Sequence, residues 1–424
     1  MKKLGFGLMR MPLIDPNDDG AVDVEQVKKM VDLFMEKGFT YFDTAIMYNG
    51  YQSQRVAKEA LVDRYPRDSF TLATKLHNAF FHSLEDRDKV FFEQLEQTGA
   101  GYFDYYLLHG IEAGSYPKYE QLDCFNWLLE KKAQGLVKHA GFSFHDTPEL
   151  LDEILTKHPE MEFVQLQINY LDWESEWIQS RKVYEVAEAH GKPVIVMEPV
   201  KGGTLAKVPA PAEALLKARE PELSVPSWGI RFAASLPGVM VVLSGMSTVE
   251  QMEDNISYME HFKPLTAEEQ ALTKQVARII NDQIAVPCTG CSYCTEGCPM
   301  QIPIPKYFSL YNEDMREDLA EKGLDHQFLL LRQPDGALRQ GQRLHRLRSV
   351  RGRLSPASAH HREAEGRVGP FRSLTIQTKR RGGVHAPPRL RYLSGLPPGP
   401  SPAPHLLVGD VGKLLAVDDD GAAG

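Results

Sequence analysis

The chain has 424 residues, of which 42% are hydrophobic and 25% charged. That is the balance of a water-soluble protein of two or three domains. No apolar run reaches the roughly 18 residues of a membrane span, and Met1–Leu8 lacks the apolar core of a secretory leader, so a cytoplasmic setting without membrane contact is expected. Net charge is −9, but residues 324–424 hold 16 Lys+Arg, 14 of them Arg, against 8 Asp+Glu. A basic end on an acidic chain needs its own explanation.

In chain order, eight apolar runs of strand length follow one another: Leu4–Met9, Phe39–Asp43, Phe70–Lys75, Phe103–His109, Val137–Ser143, Phe163–Ile168, Pro193–Glu198 and Val239–Ser244. Amphipathic segments such as Val24–Lys37 and Ser53–Arg64 lie between them. Cys124 falls in a further helical pattern, Leu122–Leu129, and reads as a buried structural thiol. Alternation of strand and helix implies a parallel α/β sheet. Eight such units over about 245 residues fit a closed (β/α)8 TIM barrel better than an open doubly wound sheet. No Gly-x-Gly-x-x-Gly follows any strand, which argues against a Rossmann dinucleotide site.

Barrels of this kind carry their chemistry at the C-terminal ends of the strands. Asp43 ends the second run, Lys75 the third and His109 the fourth, and Tyr48 follows Asp43 in the next loop. Any one alone would read as structural; four titratable side chains on one rim read as an active site.

These residues carry a resemblance. Phe42-Asp43-Thr44-Ala45 with Tyr48, Ala73-Thr74-Lys75, Asp104-Tyr105-Tyr106-Leu107-Leu108-His109, then Gly135-Leu136-Val137-Lys138, Gly141-Phe142-Ser143 and the Asn255 segment resemble the aldo/keto reductase superfamily over residues 1–280. The resemblance implies a catalytic tetrad of Asp43, Tyr48, Lys75 and His109, a nicotinamide hydride donor and a small-molecule carbonyl substrate. Its chemistry can be stated from first principles. A phenol, with a pKa of about 10, is a poor acid at neutral pH, and a nearby ammonium favours its anion. Lys75 would supply that ammonium, Asp43 would hold it, Tyr48 would donate the proton, and His109 would orient and polarise the carbonyl.

For the cofactor the resemblance implies Ser143, Gln167, Gly245 and Asn255. Elsewhere the chain departs from the family pattern. Phe144 stands where an asparagine is usual, Met197 where a tyrosine stacks on the ring, and Gln251 where an arginine often grips a 2′-phosphate. The missing cations weaken the case for NADP over NAD and leave open a site that binds nicotinamide weakly or uses a flavin. Phe80, Phe81, Tyr116, Trp173 and Trp177, in the loops after the strands, are candidates either for an apolar substrate pocket or for loop packing.

Cys288-x2-Cys291-x2-Cys294-x3-Cys298-Pro299 has the spacing of a bacterial ferredoxin cluster loop. Soft thiolates suit iron–sulfur, and a zinc site would more often use two separated pairs. Residues 281–323 are therefore expected to form a small ferredoxin-like 4Fe-4S segment, resembling the aldo/keto reductases fused to a ferredoxin-type domain. An electron-carrier protein is a conceivable partner. In two-cluster ferredoxins the fourth cysteine serves the other cluster, yet no cysteine follows Cys298.

Residues 324–424, rich in Arg, Pro, Leu and Gly, read as a basic tail, as disorder, or as a frameshifted segment. In the frame one base on, Leu344-His345, Leu347-Arg348, Val350-Arg351 and Leu354-Ser355 can each encode cysteine, with the same x2, x2, x3 spacing, and Ser355-Pro356 can encode the following proline. A frameshift near Gly323 is therefore expected to have replaced a second cluster motif, leaving an unstructured tail and no nucleic-acid role. The leading functional expectation is an NAD(P)-dependent oxidoreductase linked to an iron–sulfur module; the alternative is a non-catalytic redox-sensing or binding subunit.

Overall fold

The computed structural model describes residues 2–175 and 178–282, together with Ile302 and Ile304. Residues 2–282 belong to one compact unit, and the two isoleucines fall in another. Trp177, Cys288, Cys291, Cys294, Cys298 and the tail from 324 lie outside the described residues, so the expectations for the cluster segment and the tail do too.

Eight parallel strands close into a barrel in sequence order. They are β1 (Leu4–Gly7), β2 (Tyr41–Asp43), β3 (Thr71–His77), β4 (Phe103–Ile111), β5 (Val137–Phe144), β6 (Phe163–Gln167), β7 (Val194–Met197) and β8 (Val239–Ser244). β8 closes on β1, with Val242 opposite Leu4 and Ser244 opposite Phe6. The crossovers carry α1 (Val24–Glu36), α2 (Tyr48–Tyr51), α3 (Ser53–Ala57), α4 (Leu84–Thr98), α5 (Tyr116–Gln121), α6 (Cys124–Ala133), α7 (Pro148–Lys157), α8 (Ser180–Ala189), α9 (Ala210–Arg219) and α10 (Val225–Ser235). α11 (Val249–Met259) and α12 (Ala267–Asn281) follow β8. Each expected run overlaps one strand, and the (β/α)8 expectation holds for the barrel.

Local rules explain the elements. α1 starts where the Asp23 side chain accepts the Gln26 amide at 3.0 Å, and it buries Val27, Met30, Val31 and Phe34 at helical spacing. Its chain turns off at Gly38, whose φ of +74° suits a residue without Cβ. Cys124 opens α6 buried, and burial pushes its thiol up to about 12, in line with a structural role.

Alternation along the strands sorts the core into two parts. Outward residues pack beneath the helices in the larger core, which includes Phe6, Phe42, Leu72, Leu76 and Leu108. Inward residues Tyr41, Ala73, Leu107, Phe163, Ile195, Val241 and Leu243 plug the barrel. Two residues further along, on the same inward face, come Asp43, Lys75 and His109. The apolar plug thus forms the floor of a polar rim. It is tight at Gly141, where a Cβ would lie 2.4 Å from the Phe163 carbonyl oxygen and 2.6 Å from its ring.

Candidate active site

β3 and β4 run past their expected ends, to His77 and Ile111, so Lys75 and His109 lie within paired strands rather than at their ends. The backbone there is held from outside the barrel. Gln94 of α4 donates to the Lys75 carbonyl at 2.9 Å, and Gln94 and Gln54 both donate to the Thr74 hydroxyl. Tyr119 of α5 donates to the carbonyls of Leu76 at 3.0 Å and His109 at 2.7 Å, tying the two strands below the site.

The four expected catalytic residues converge. Lys75 Nζ donates to Asp43 Oδ1 at 2.5 Å and to the Thr44 carbonyl at 2.9 Å, with both side chains buried. The ammonium lies 5.0 Å from the centre of the Tyr48 ring, and the His109 ring stands edge-on to Tyr48 at 6.1 Å. Tyr48 opens a sharp bend: Asn49, Gly50 and Tyr51 all have positive φ, at +48°, +54° and +69°. A Cβ at Gly50 would meet Gly20 backbone at 3.0 Å, so the loop before α1 buttresses the bend. Three consecutive left-handed residues, two of them not glycine, place strain directly after the phenol.

The electrostatics differ from the expectation at one point. The phenol of Tyr48 is held well above its usual pKa, first by burial and then by the charges of Asp43 and Glu198. Burial also pushes Asp43 up and Lys75 down, each opposed by the partner's charge. The resting phenol is therefore a neutral hydrogen-bond donor, not a group primed by a bare cation. His109 is held well below the usual imidazole range by burial, then by Lys75, His77 and His145, and its Nδ1 is buried without a partner among the described residues.

Two further imidazoles escaped the sequence reading. The His77 and His109 rings lie 5.1 Å apart, and His77 Nδ1 accepts the Ala79 amide at 3.1 Å, which leaves its proton on Nε2. Burial pushes His77 and His145 each down to about 4. The signal for His77 was available: it follows Lys75 by two residues on a strand and so shares its face.

The expected cofactor residues are partly brought together. Ser143 is buried and accepts the Gly110 amide at 2.7 Å, keeping its own proton to donate. Gln167 ends β6 and donates to Asp172 Oδ2 at 3.1 Å. Asn255 is buried between Ser244, whose hydroxyl it donates to at 2.7 Å, and the Tyr258 hydroxyl, so its amide already serves the join of α11 to β8. At Gly245 the carbons of Arg10 lie 3.4–3.5 Å from where a Cβ would be. Phe144 points into the outer core beside Phe142, away from Ser143. Met197 Sδ accepts from Gln165 at 3.6 Å.

The aromatic loop residues divide. Phe80 stands edge-on to His77 and to the exposed Tyr51 at the mouth. Phe81, Tyr116 and Trp173 pack into the shell. Among the described residues no group of His, Cys, Asp and Glu could hold a metal ion, and no helix is long and apolar enough to cross a membrane.

The profile of the aldo/keto reductase family matches residues 3–278. The chain belongs to the aldo/keto reductase family. As a member it is an oxidoreductase, and an uncharacterized oxidoreductase of Bacillus subtilis, YqkF, is 26% identical over 312 residues, covering 65% of this chain and 94% of that one. The aldo-keto reductase AKR11C1 from Bacillus halodurans, in its holo form, superposes with a TM-score of 0.52 at 24% identity, covering 65% of this chain and 91% of that one. An aldo-keto reductase from Klebsiella pneumoniae, in complex with NADPH, gives 0.53 at 19% identity, covering 66% and 90%. At these identities the solved structures establish the barrel fold.

Proposed function

We propose that the barrel interconverts a small-molecule carbonyl and its alcohol with a nicotinamide dinucleotide, Tyr48 being the proton donor for reduction. The carrying observation is the meeting of Tyr48 with the buried Lys75–Asp43 pair and with an uncharged His109 on one rim. The nicotinamide, when bound, supplies hydride to the carbonyl carbon. Ser143 and Gln167 would hold its carboxamide, and their position on the inward rim of β5 and β6 supports this. Gly245 and Asn255 are the proposed contacts for the rest of the dinucleotide, with Asn255 already engaged by Ser244 and Tyr258. The NADPH bound to the Klebsiella pneumoniae relative is in keeping with a nicotinamide dinucleotide, NADP or NAD.

In the reduction, the neutral imidazole of His109 donates a hydrogen bond to the carbonyl oxygen and polarises it. Tyr48 gives its phenolic proton to the oxygen as negative charge develops there. Lys75 then stabilises the phenolate, and Asp43 keeps the ammonium charged and fixed. Oxidation of NADPH and of NADH against a panel of aldehydes and ketones tests this reading: turnover with either nucleotide supports it, and no turnover with both across the panel refutes it.

We further propose that Cys288, Cys291, Cys294 and Cys298 hold one 4Fe-4S cluster, on the support of their spacing. A frameshift near Gly323 would have removed its companion motif. Anaerobic purification with iron and sulfide analysis tests the first statement, and resequencing of the coding DNA tests the second.

A further inference from the structure

β6 carries two glutamines, Gln165 and Gln167, on the face that points into the barrel. Phe163, two residues before Gln165, belongs to the inward plug, while Val164 and Leu166 pack in the outer core. Each glutamine has its amide nitrogen engaged by a group that accepts hydrogen bonds and has none to donate. Gln167 Nε2 donates to Asp172 Oδ2 at 3.1 Å, and Gln165 Nε2 to the Met197 thioether sulfur at 3.6 Å. Neither partner offers a proton to an amide oxygen, so each glutamine keeps its Oε1 turned away from it. Gln165 is 3% exposed, yet its Oε1 has no partner among the described residues. Asp172 is itself pinned. It is ion-paired with the buried Lys201 and accepts from Asn169 at 2.8 Å, while the Asp172 and Leu171 amides donate to Asn169 Oδ1 at 2.9 and 3.1 Å. Asn169 also donates to the Glu198 carbonyl at 3.2 Å, so the loops after β6 and β7 are joined through Asp172 and Asn169.

A buried acceptor left open is costly unless a ligand fills it. Ser143 is the direct neighbour of Gln165 across the β5–β6 ladder, and its hydroxyl accepts the Gly110 amide and has its own proton to give. The rim there offers a hydroxyl donor beside the two amide oxygens. A primary carboxamide is their complement, since its carbonyl accepts and its –NH2 group donates. A carboxylate of the same shape has no hydrogen to give and sets its charge against the two amide oxygens. We propose that Asp172 is a positioning residue that, through Gln167 and together with Met197 at Gln165, makes the β6 rim select a carboxamide-bearing dinucleotide over its carboxylic-acid counterpart. The inference rests on the proposed use of a nicotinamide dinucleotide and extends it to the group by which that dinucleotide is recognised.

Binding to the full-length chain is the readout, independent of turnover. Calorimetry gives the dissociation constants of NADP+ and NAD+ and of their acid counterparts, nicotinic acid adenine dinucleotide with and without the 2′-phosphate. Wild type should bind the amide forms at least about 10²-fold more tightly, as expected where a hydrogen-bonding site meets a group that cannot answer it. In Asp172→Asn the new side chain can donate as well as accept, so the Gln167 amide is free to turn over. The preference should then fall to within about tenfold, with the acid forms gaining relative to the amide forms. A merely structural role would weaken both forms alike and leave the preference unchanged. Gln167→Leu should lower the preference too, and adding Asp172→Asn to it should change the preference no further. Because Asp172→Asn deprives Lys201 of its charge partner, Met197→Leu, a volume-conserving change, is the second variant; it should narrow the preference through Gln165 alone. Equal binding of amide and acid by wild type, or an unchanged preference in either folded variant, overturns the inference while the proposed function stands. A wild-type chain that binds neither kind of dinucleotide overturns both.

Discussion

Lys75 and Asp43, 32 residues apart in sequence, form a buried ion pair with Nζ 2.5 Å from Oδ1. Two neighbouring strands of one barrel put them there, since Asp43 pairs with Ala73 and Lys75 lies two residues on, pointing inward. Neither charge reaches water, so each depends on the other. Asp43→Asn or Lys75→Met alone should cost about 3–5 kcal/mol, the usual penalty of a buried charge left without its partner. The double variant should cost clearly less than the two single costs added together. Denaturant unfolding of the four proteins measures this, and additive losses would contradict a coupled pair.

The histidines around the mouth give a pH dependence with a definite sign. His77 and His145 are held down to about 4, against 6.5 for a free imidazole. Between those values the unfolded chain binds more protons than the folded one, so stability rises with pH and is lost as pH falls from 6.5 toward 4. His77→Asn should therefore show a smaller drop in Tm across that window than wild type. Parallel Tm curves would mean that His77 does not titrate there.

Gly141 tests the packing that floors the site. The Phe163 carbonyl and ring fill the space of any side chain, and backbone cannot be moved aside as a flexible side chain can. Gly141→Ala should destabilise the barrel by about 1–3 kcal/mol and weaken turnover through displacement of Ser143, two residues along. A Tm equal to wild type would show that the floor yields easily.

How much of this was legible in the sequence depends on the range of the interaction. The eight strands could be read because each is a contiguous apolar run, and Asp43, Lys75 and His109 because barrel topology brings strand ends together. The strand ends were misplaced by up to two residues at His77 and Ile111, because the bonds from Tyr119 that tie β3 to β4 come from a helix distant in sequence. Glu198 was taken as the end of a strand, whereas β7 ends at Met197 and Glu198 begins the turn in which Lys201 pairs with Asp172, a contact distant in sequence. The expected lowering of the Tyr48 pKa failed for a related reason. It counted the charge of Lys75 and left out first the burial of the phenol and then the charges of Asp43 and Glu198, none of which residue type alone reveals.

The central claim concerns Tyr48. NAD(P)H oxidation with a carbonyl substrate, compared between wild type and Tyr48→Phe, tests it most directly, with circular dichroism and Tm confirming the fold. Phenylalanine keeps the ring beside Lys75 and His109 and removes only the hydroxyl group with its proton, so turnover should fall by about 10²–10⁴-fold while the fold is retained. Turnover within a few-fold of wild type in the folded variant would contradict the assignment of Tyr48 as the acid.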